Sequence, residues 1–133
     1  MKVLVVIIFF LYPFIVCYSQ RVKEYNECAV ECINEKNYQG AISYFTRIIE
    51  ISPKDSFAYF DRAMIKKEIS AFKEAILDFT RAIEIDSKNA DNYFLRAITK
   101  DQFKDYEGAI LDFDKTLEIE SENPDAYYFR GVD

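Results

Sequence analysis

The sequence predicts an all-α fold: a right-handed α-solenoid of tandem helix-turn-helix units, three complete and the start of a fourth. Three observations predict it. First, the chain repeats itself at a step of 34. Tyr25, Tyr59, Tyr93 and Tyr127 keep that step, as do Ala41, Ala75 and Ala109, and Phe45, Phe79 and Phe113. Residues 56–89 and 90–123 share 14 of 34 positions, including the run Ala-Ile-Leu-Asp-Phe at 75–79 and again at 109–113. Self-similarity at this period marks stacked helical units, each too small to bury its apolar face alone. Second, each unit carries two stretches with helical spacing. Third, only three glycines and three prolines occur in 133 residues, too few for a turn-rich β-sandwich or a Gly-rich phosphate loop.

The first twenty residues form an island of composition. Lys2 is followed by an apolar run from Val3 to Tyr18, broken only by Pro13, and charge returns with Arg21, Lys23 and Glu24. A positive start, an apolar stretch and small residues before a polar one describe an export signal, 1–19, cut between Ser19 and Gln20. Two alternatives stay open. Residues 3–18 could remain as a membrane anchor, although sixteen residues are short of the ~20 that a spanning helix needs. Cys17 could be a lipidated N-terminus, with Val16 a poor fit before it. The expected location is thus exported: periplasmic, envelope-associated or secreted.

The remainder, 20–133, reads as one domain with units at 22–55, 56–89, 90–123 and a partial one at 124–133. In the second unit, helix A is expected over about 56–69 and helix B over about 72–85. Ala58, Tyr59, Arg62, Ala63 and Lys66 fall on one helical face of A, and Ala75, Ile76, Phe79, Ala82 and Ile83 on one face of B. Asn37, Ser70 and Asp105 are expected as N-caps of the B helices. Asn123 with Pro124 reads as a cap followed by proline at the first helical position. Ala63 and Ala75 let two helix axes approach, and Tyr59 and Phe79 fill the space around that contact. The fourth helix A begins in register at Pro124. Tyr127, Tyr128 and Phe129 make a poor polar cap, so the 133 residues are expected to be a piece of a longer array. Adding a complete repeat should then raise the melting temperature by several degrees.

These residues resemble the tetratricopeptide repeat. The aromatic Tyr59, the small Ala63, then Ala75 and Phe79 follow its pattern, and so do their counterparts one period away. The likeness covers 22–133. Departures are Cys28, Arg62, Arg96 and Arg130 where Leu is usual, Cys32, Lys66 and Lys100 where Tyr is usual, and Ser87 and Ser121 in place of the closing proline found at Pro53. The longer, Gly-rich Sel1-like unit fits less well.

Composition excludes much chemistry. With 23 acidic and 17 basic residues the net charge is −6, which argues against nucleic acid as a partner. The absence of histidine removes histidine-based triads and histidine metal sites. Asp86-Ser87-Lys88-Asn89-Ala90 puts Lys and Ala where a calcium loop needs oxygens. Glu118, Glu120 and Glu122 read as a solvated face. Cys28 and Cys32, four apart on one helix, read as core-filling thiols rather than a disulfide, because their Cβ vectors diverge. Arg62, Arg96 and Arg130, with Asp78 and Asp112, could form an anion stripe but read better as an internal bridge repeated per unit. No catalytic, cofactor-binding or metal-binding residues are assigned, and no enzyme is expected.

The resemblance implies a protein–protein interaction module whose A helices line a concave groove. Its groove positions carry over to Asn26, Phe60, Phe94 and Tyr128 in one row and Val30, Met64, Ile98 and Val132 in the next. Phe57 and Leu95 lie nearby, with Asp61, Asp91 and Asp125 along the edge. Chaperone-binding members of the family clamp a C-terminal carboxylate with Lys, Asn and Arg. The matching positions here are Asn26, Val30, Asp61, Asp91 and Leu95, none of them basic, so that clamp is not expected. The expected ligand is an apolar or amphipathic segment carrying Lys or Arg. The alternatives are a self-assembling structural protein, whose groove a second copy fills, and an N-terminal scaffold of a larger envelope protein or enzyme complex.

Overall fold

The computed structural model of the chain describes the backbone of residues 2–132 and the side chains of residues 16–131. All secondary structure among the described residues is helical. The helices are α1 (Lys2–Asn34), α2 (Tyr38–Ile51), α3 (Ser56–Glu68), α4 (Phe72–Ile85), α5 (Ala90–Gln102), α6 (Tyr106–Ile119) and α7 (Pro124–Val132). The all-α class of tandem helix pairs expected from the 34-residue step is the one observed. The helices fall into two compact units, residues 1–53 and 54–133.

The first unit pairs α1 with α2. Its buried apolar residues are Ala29, Ala41, Phe45 and Ile48. The rings of Tyr25 and Tyr44 meet at 6.0 Å, and the Arg47 guanidinium lies over Tyr25. α1 runs without a break through Ser19 and Gln20, where the export-signal cut is expected. The hydroxyl of Tyr18 donates to the carbonyl of Ile51 at the end of α2. Most of the expected signal, 1–15, lies outside the described side chains. Among the described residues no helix is long and apolar enough to cross a membrane.

The second unit stacks α3 on α4, α4 on α5, α5 on α6 and α6 on α7. Two clusters lie within its core. Ala63, Ala75 and Phe79 make one, with Phe60, Met64 and Leu95 packed against it. Ala97, Ala109, Phe113 and Ala126 make the other, against which Phe94, Ile98, Leu117 and Phe129 pack. Alanine recurs at the closest approach of each helix pair because any larger side chain would force the axes apart.

The turns inside the pairs obey the same period. Lys36, Ser70 and Lys104 all have φ near +60°, in the left-handed region. At each, the amide two residues past the helix bonds back in the pattern that closes a helix C-terminus. Ala71 N–H donates to Lys66 O and Ser70 N–H to Lys67 O. Ser70 is therefore not the N-cap expected from sequence. Period 34 aligns it with Lys36 and Lys104, and the cap position is one residue on, at Asn37, Ala71 and Asp105. Asn37 and Asp105 accept from the amides of Gly40 and Gly108, whereas Ala71 offers no side-chain bond. The A helices are capped alike by Asp55, Asn89 and Asn123, whose side-chain oxygens accept from amides in the first turn.

Candidate peptide-binding face

The arginine ladder is internal, as the sequence favours. Asp78 accepts from Arg62 Nε at 2.8 Å and Nη2 at 2.7 Å, and from Lys66 Nζ at 2.7 Å. Asp112 accepts in the same way from Arg96 at 2.8 and 2.6 Å and bridges Lys100 at 2.8 Å. Both carboxylates are buried. Arg96 also donates to Thr80 in the preceding helix B, and Arg130 to Asp114 at the equivalent place. These charges tie helices together and leave no anion stripe there. In the first unit the same three positions are Cys28, Cys32 and Tyr44. The cysteines are separate thiols, and Cys28 beside the Tyr44 hydroxyl pushes that phenol above its ordinary pKa of 10.0.

The groove residues carried over by resemblance divide between the units. Asn26 and Val30 stand on the exposed side of α1. In the second unit, α3 contributes Phe57, Phe60, Asp61 and Met64, α5 contributes Phe94, Leu95 and Ile98, and α7 contributes Tyr128. Phe57 and Tyr128 are fully on the surface, at 68% and 67% exposure, which is uncommon for large aromatic residues. The others are half-buried and face two ways. Phe60 meets Phe79 edge-on at 5.8 Å, and Phe94 meets Phe113 at 5.9 Å and Phe129 at 6.1 Å. Met64, Leu95 and Ile98 rest on the two core clusters. Truncating Phe60 or Phe94 would therefore disturb packing as well as the surface. Phe57 and Tyr128 are the aromatic residues of this face that lie mostly in solvent, Tyr128 meeting Phe129 edge-on at 5.4 Å.

Asp61 gives this face its charge. It is half-buried on α3, one turn from Phe57 and three residues before Met64, and no cation reaches it among the described residues. Burial, and then the nearby Asp55, push its carboxyl above the ordinary 3.8. Asp91 and Asp125 are exposed in the first turns of α5 and α7.

Asn92 belongs to the same face and has no counterpart in the sequence reading. It is 2% exposed, and its Nδ2 has no hydrogen-bond partner. It lines a slot of about 80 Å³ with Ser56, Phe57 and Phe60 of α3 and Asn89 and Asp91 at the start of α5. The signal was available: the residues one period either side, Ala58 and Ala126, are buried alanines. Asn92 is the polar residue at a position that the second unit otherwise fills with buried alanine.

A family model described as tetratricopeptide repeat matches residues 23–55 and 58–89. Solved structures share the fold. The TPR domain of Arabidopsis OM64 superposes with a TM-score of 0.79 at 24% identity, over 86% of this chain and 95% of that one. The second TPR domain of human RPAP3, in complex with the HSP70 peptide SGPTIEEVD, gives 0.80 at 23% identity, over 86% and 96%. The TPR2B domain of yeast Sti1, in a pHsp70 complex, gives 0.75 at 23% identity, over 85% and 98%. No curated protein matches the chain in sequence.

Proposed function

We propose, from the tetratricopeptide repeats at 23–55 and 58–89, that the chain is a non-enzymatic module that binds a peptide or protein segment on the A-helix face of its second unit. Two of the similar structures are of complexes with heat-shock protein or its peptide, and one of those peptides ends in acidic residues. The ligand of this chain differs in sign. The observation that carries the reading is Asp61, a half-buried carboxylate with no ion-pair partner among the described residues, one turn from the exposed Phe57 and three residues before Met64 on α3. A half-buried charge without a counter-ion is less favourable than a fully solvated one, and a ligand lysine or arginine placed against it offsets that cost. The exposed Phe57, with the half-buried Phe60 and Met64 on the same helix, supplies apolar area for a segment beside it. The ligand class is an apolar segment carrying a basic residue.

Three peptides test this: Ac-KLLKLLKK-NH2, the equally charged Ac-KGGKGGKK-NH2, and the acidic SGPTIEEVD. Fluorescence anisotropy should show the first binding and the other two not. Phe57→Ala with Tyr128→Ala should weaken the first by about 2 kcal/mol, the scale of an interface hot spot, with no change in helicity. Binding should also fall with pH. Asp61 has a raised value in the free protein, so it neutralises as pH drops toward and through that value, above 3.8, and the attraction for lysine goes with it. The stability of the free protein moves oppositely. The folded state holds that proton more tightly than the unfolded chain, so acidifying through this window relieves the unpaired charge. Tighter binding of SGPTIEEVD than of the lysine–leucine peptide would overturn the reading.

Export is the second element of the proposal, carried by Lys2 and the apolar run 3–18. Removal of 1–19 at the Ser19–Gln20 junction and retention of residues 3–18 as an anchor are the two forms this segment allows. Intact mass of the protein recovered from the envelope decides. A species that keeps residues 1–19 supports the anchor, and one beginning at Gln20 supports the cleaved signal.

A further inference from the structure

We propose that Asn92 is a recognition residue, whose Nδ2 donates to a main-chain carbonyl of the bound segment in the slot between the starts of α3 and α5. The inference rests on the peptide-binding reading above and adds the contact by which the backbone of the ligand is held. A side-chain amide that is 2% exposed and has no partner for its nitrogen is a rarity in a folded protein. The repeat offers a costless alternative, since Ala58 and Ala126 occupy the equivalent buried positions. Asn92 thus places two N–H donors where packing asks for a methyl group.

The surroundings select the acceptor. The slot, about 80 Å³, exceeds what one water fills, which is roughly 10–15 Å³ of such space. Phe57 and Phe60 form its apolar wall. Asp91 lines it, and Asp61 lies one turn along α3 from Phe57. Two carboxylates disfavour an anionic oxygen from a ligand chain terminus, an acidic side chain or phosphate. A neutral carbonyl oxygen meets no such repulsion and accepts equally well. An amide carbonyl next to an aliphatic side chain matches both walls: the oxygen faces Nδ2 and the side chain faces the phenylalanines.

The first probe is N-acetyl-leucinamide, which presents amide carbonyls beside one aliphatic side chain and carries no charge. Titrated into 15N-labelled protein, it should move the side-chain NH2 pair of Asn92 saturably, together with the backbone amides of Phe57 and Asp91. Asn92→Ala should weaken the same titration, followed at Phe57 and Asp91, by about tenfold, the value of one neutral hydrogen bond. Its melting temperature should hold or rise, because the buried unpaired amide is gone. Unmoved NH2 signals, undiminished affinity in Asn92→Ala, or a melting temperature several degrees lower would overturn the proposal; the last would make Asn92 a structural residue. The peptide Ac-KLLKLLKK-NH2 separates this claim from the broader one. If Phe57→Ala weakens the peptide and Asn92→Ala does not, the binding face stands and the role of Asn92 falls. If the single-residue probe saturates the Asn92 signals while the peptide fails to bind, the slot stands and the peptide-binding reading falls.

Discussion

Replacing Asp78 by alanine is expected to destabilise the second unit by about 3–5 kcal/mol, the cost of removing one partner from a buried ion network. Asp78 accepts three charge-assisted bonds from Arg62 and Lys66, all at 2.7–2.8 Å, and the side chains of those cations are only 15% and 18% exposed. Alanine would leave two positive charges facing each other across a desolvated gap. The first unit indicates how the network could be dispensed with. At the equivalent positions it has Cys28, Cys32 and Tyr44, a neutral set. Exchanging all three at once, Arg62→Cys, Lys66→Cys and Asp78→Tyr, should therefore cost much less than Asp78→Ala alone, because no uncompensated charge remains. Urea unfolding followed by circular dichroism measures both. If the single substitution cost less than the triple, the ladder would be a solvated feature and not a clamp between α3 and α4.

The residues at period 34 make the helix pairs legible in the sequence, because tyrosine, alanine and phenylalanine recur where the geometry repeats. Ala63, Ala75 and Phe79 lie together in one cluster as that periodicity requires. The bridge from Arg62 to Asp78 was legible for the same reason: an arginine and an aspartate 16 residues apart recur one period on as Arg96 and Asp112. What the sequence hides is whatever breaks the repeat or serves two purposes. Ser70 is a good capping residue by type, yet it takes the left-handed turn position, since only register distinguishes it from Ala71. Phe60 and Phe94 read as groove residues, but each has one face on a core phenylalanine, because a helix only 13 residues long presents too few positions to keep lining and packing apart. Asn92 passes unnoticed in a run of polar residues, and its significance lies in burial that no single-residue property reveals. The continuity of α1 through Gln20 is likewise invisible to composition, which changes abruptly there while the helix does not.

The largest packing effect is expected at Phe113. Its ring is wholly buried, stacked on Phe129 at 5.8 Å with the planes 9° apart, and met edge-on by Phe94 at 5.9 Å. Its ring touches an A helix on either side of α6, Phe94 from α5 and Phe129 from α7. Phe113→Ala should cost about 3–5 kcal/mol, the usual loss for a buried aromatic ring whose cavity cannot collapse. Collapse is hindered because the flanking contacts are backbone-close alanines, Ala97, Ala109 and Ala126, which have no side chain to swing into the void. Tyr128→Ala removes a comparable ring one residue from Phe129, but from the surface, and should change stability by no more than about 0.5 kcal/mol. The contrast carries functional content. Phe113 packs against Phe94 and Phe129 beneath the proposed binding face, so its loss should unfasten α7 and disorder the helix that carries Tyr128. Hydrogen exchange would show this as faster exchange across 124–131, while amides of α3 keep their protection. Equal acceleration in α3 and α7 would mean that the second unit opens as one block, and that Phe113 supports the whole stack and not its last helix alone.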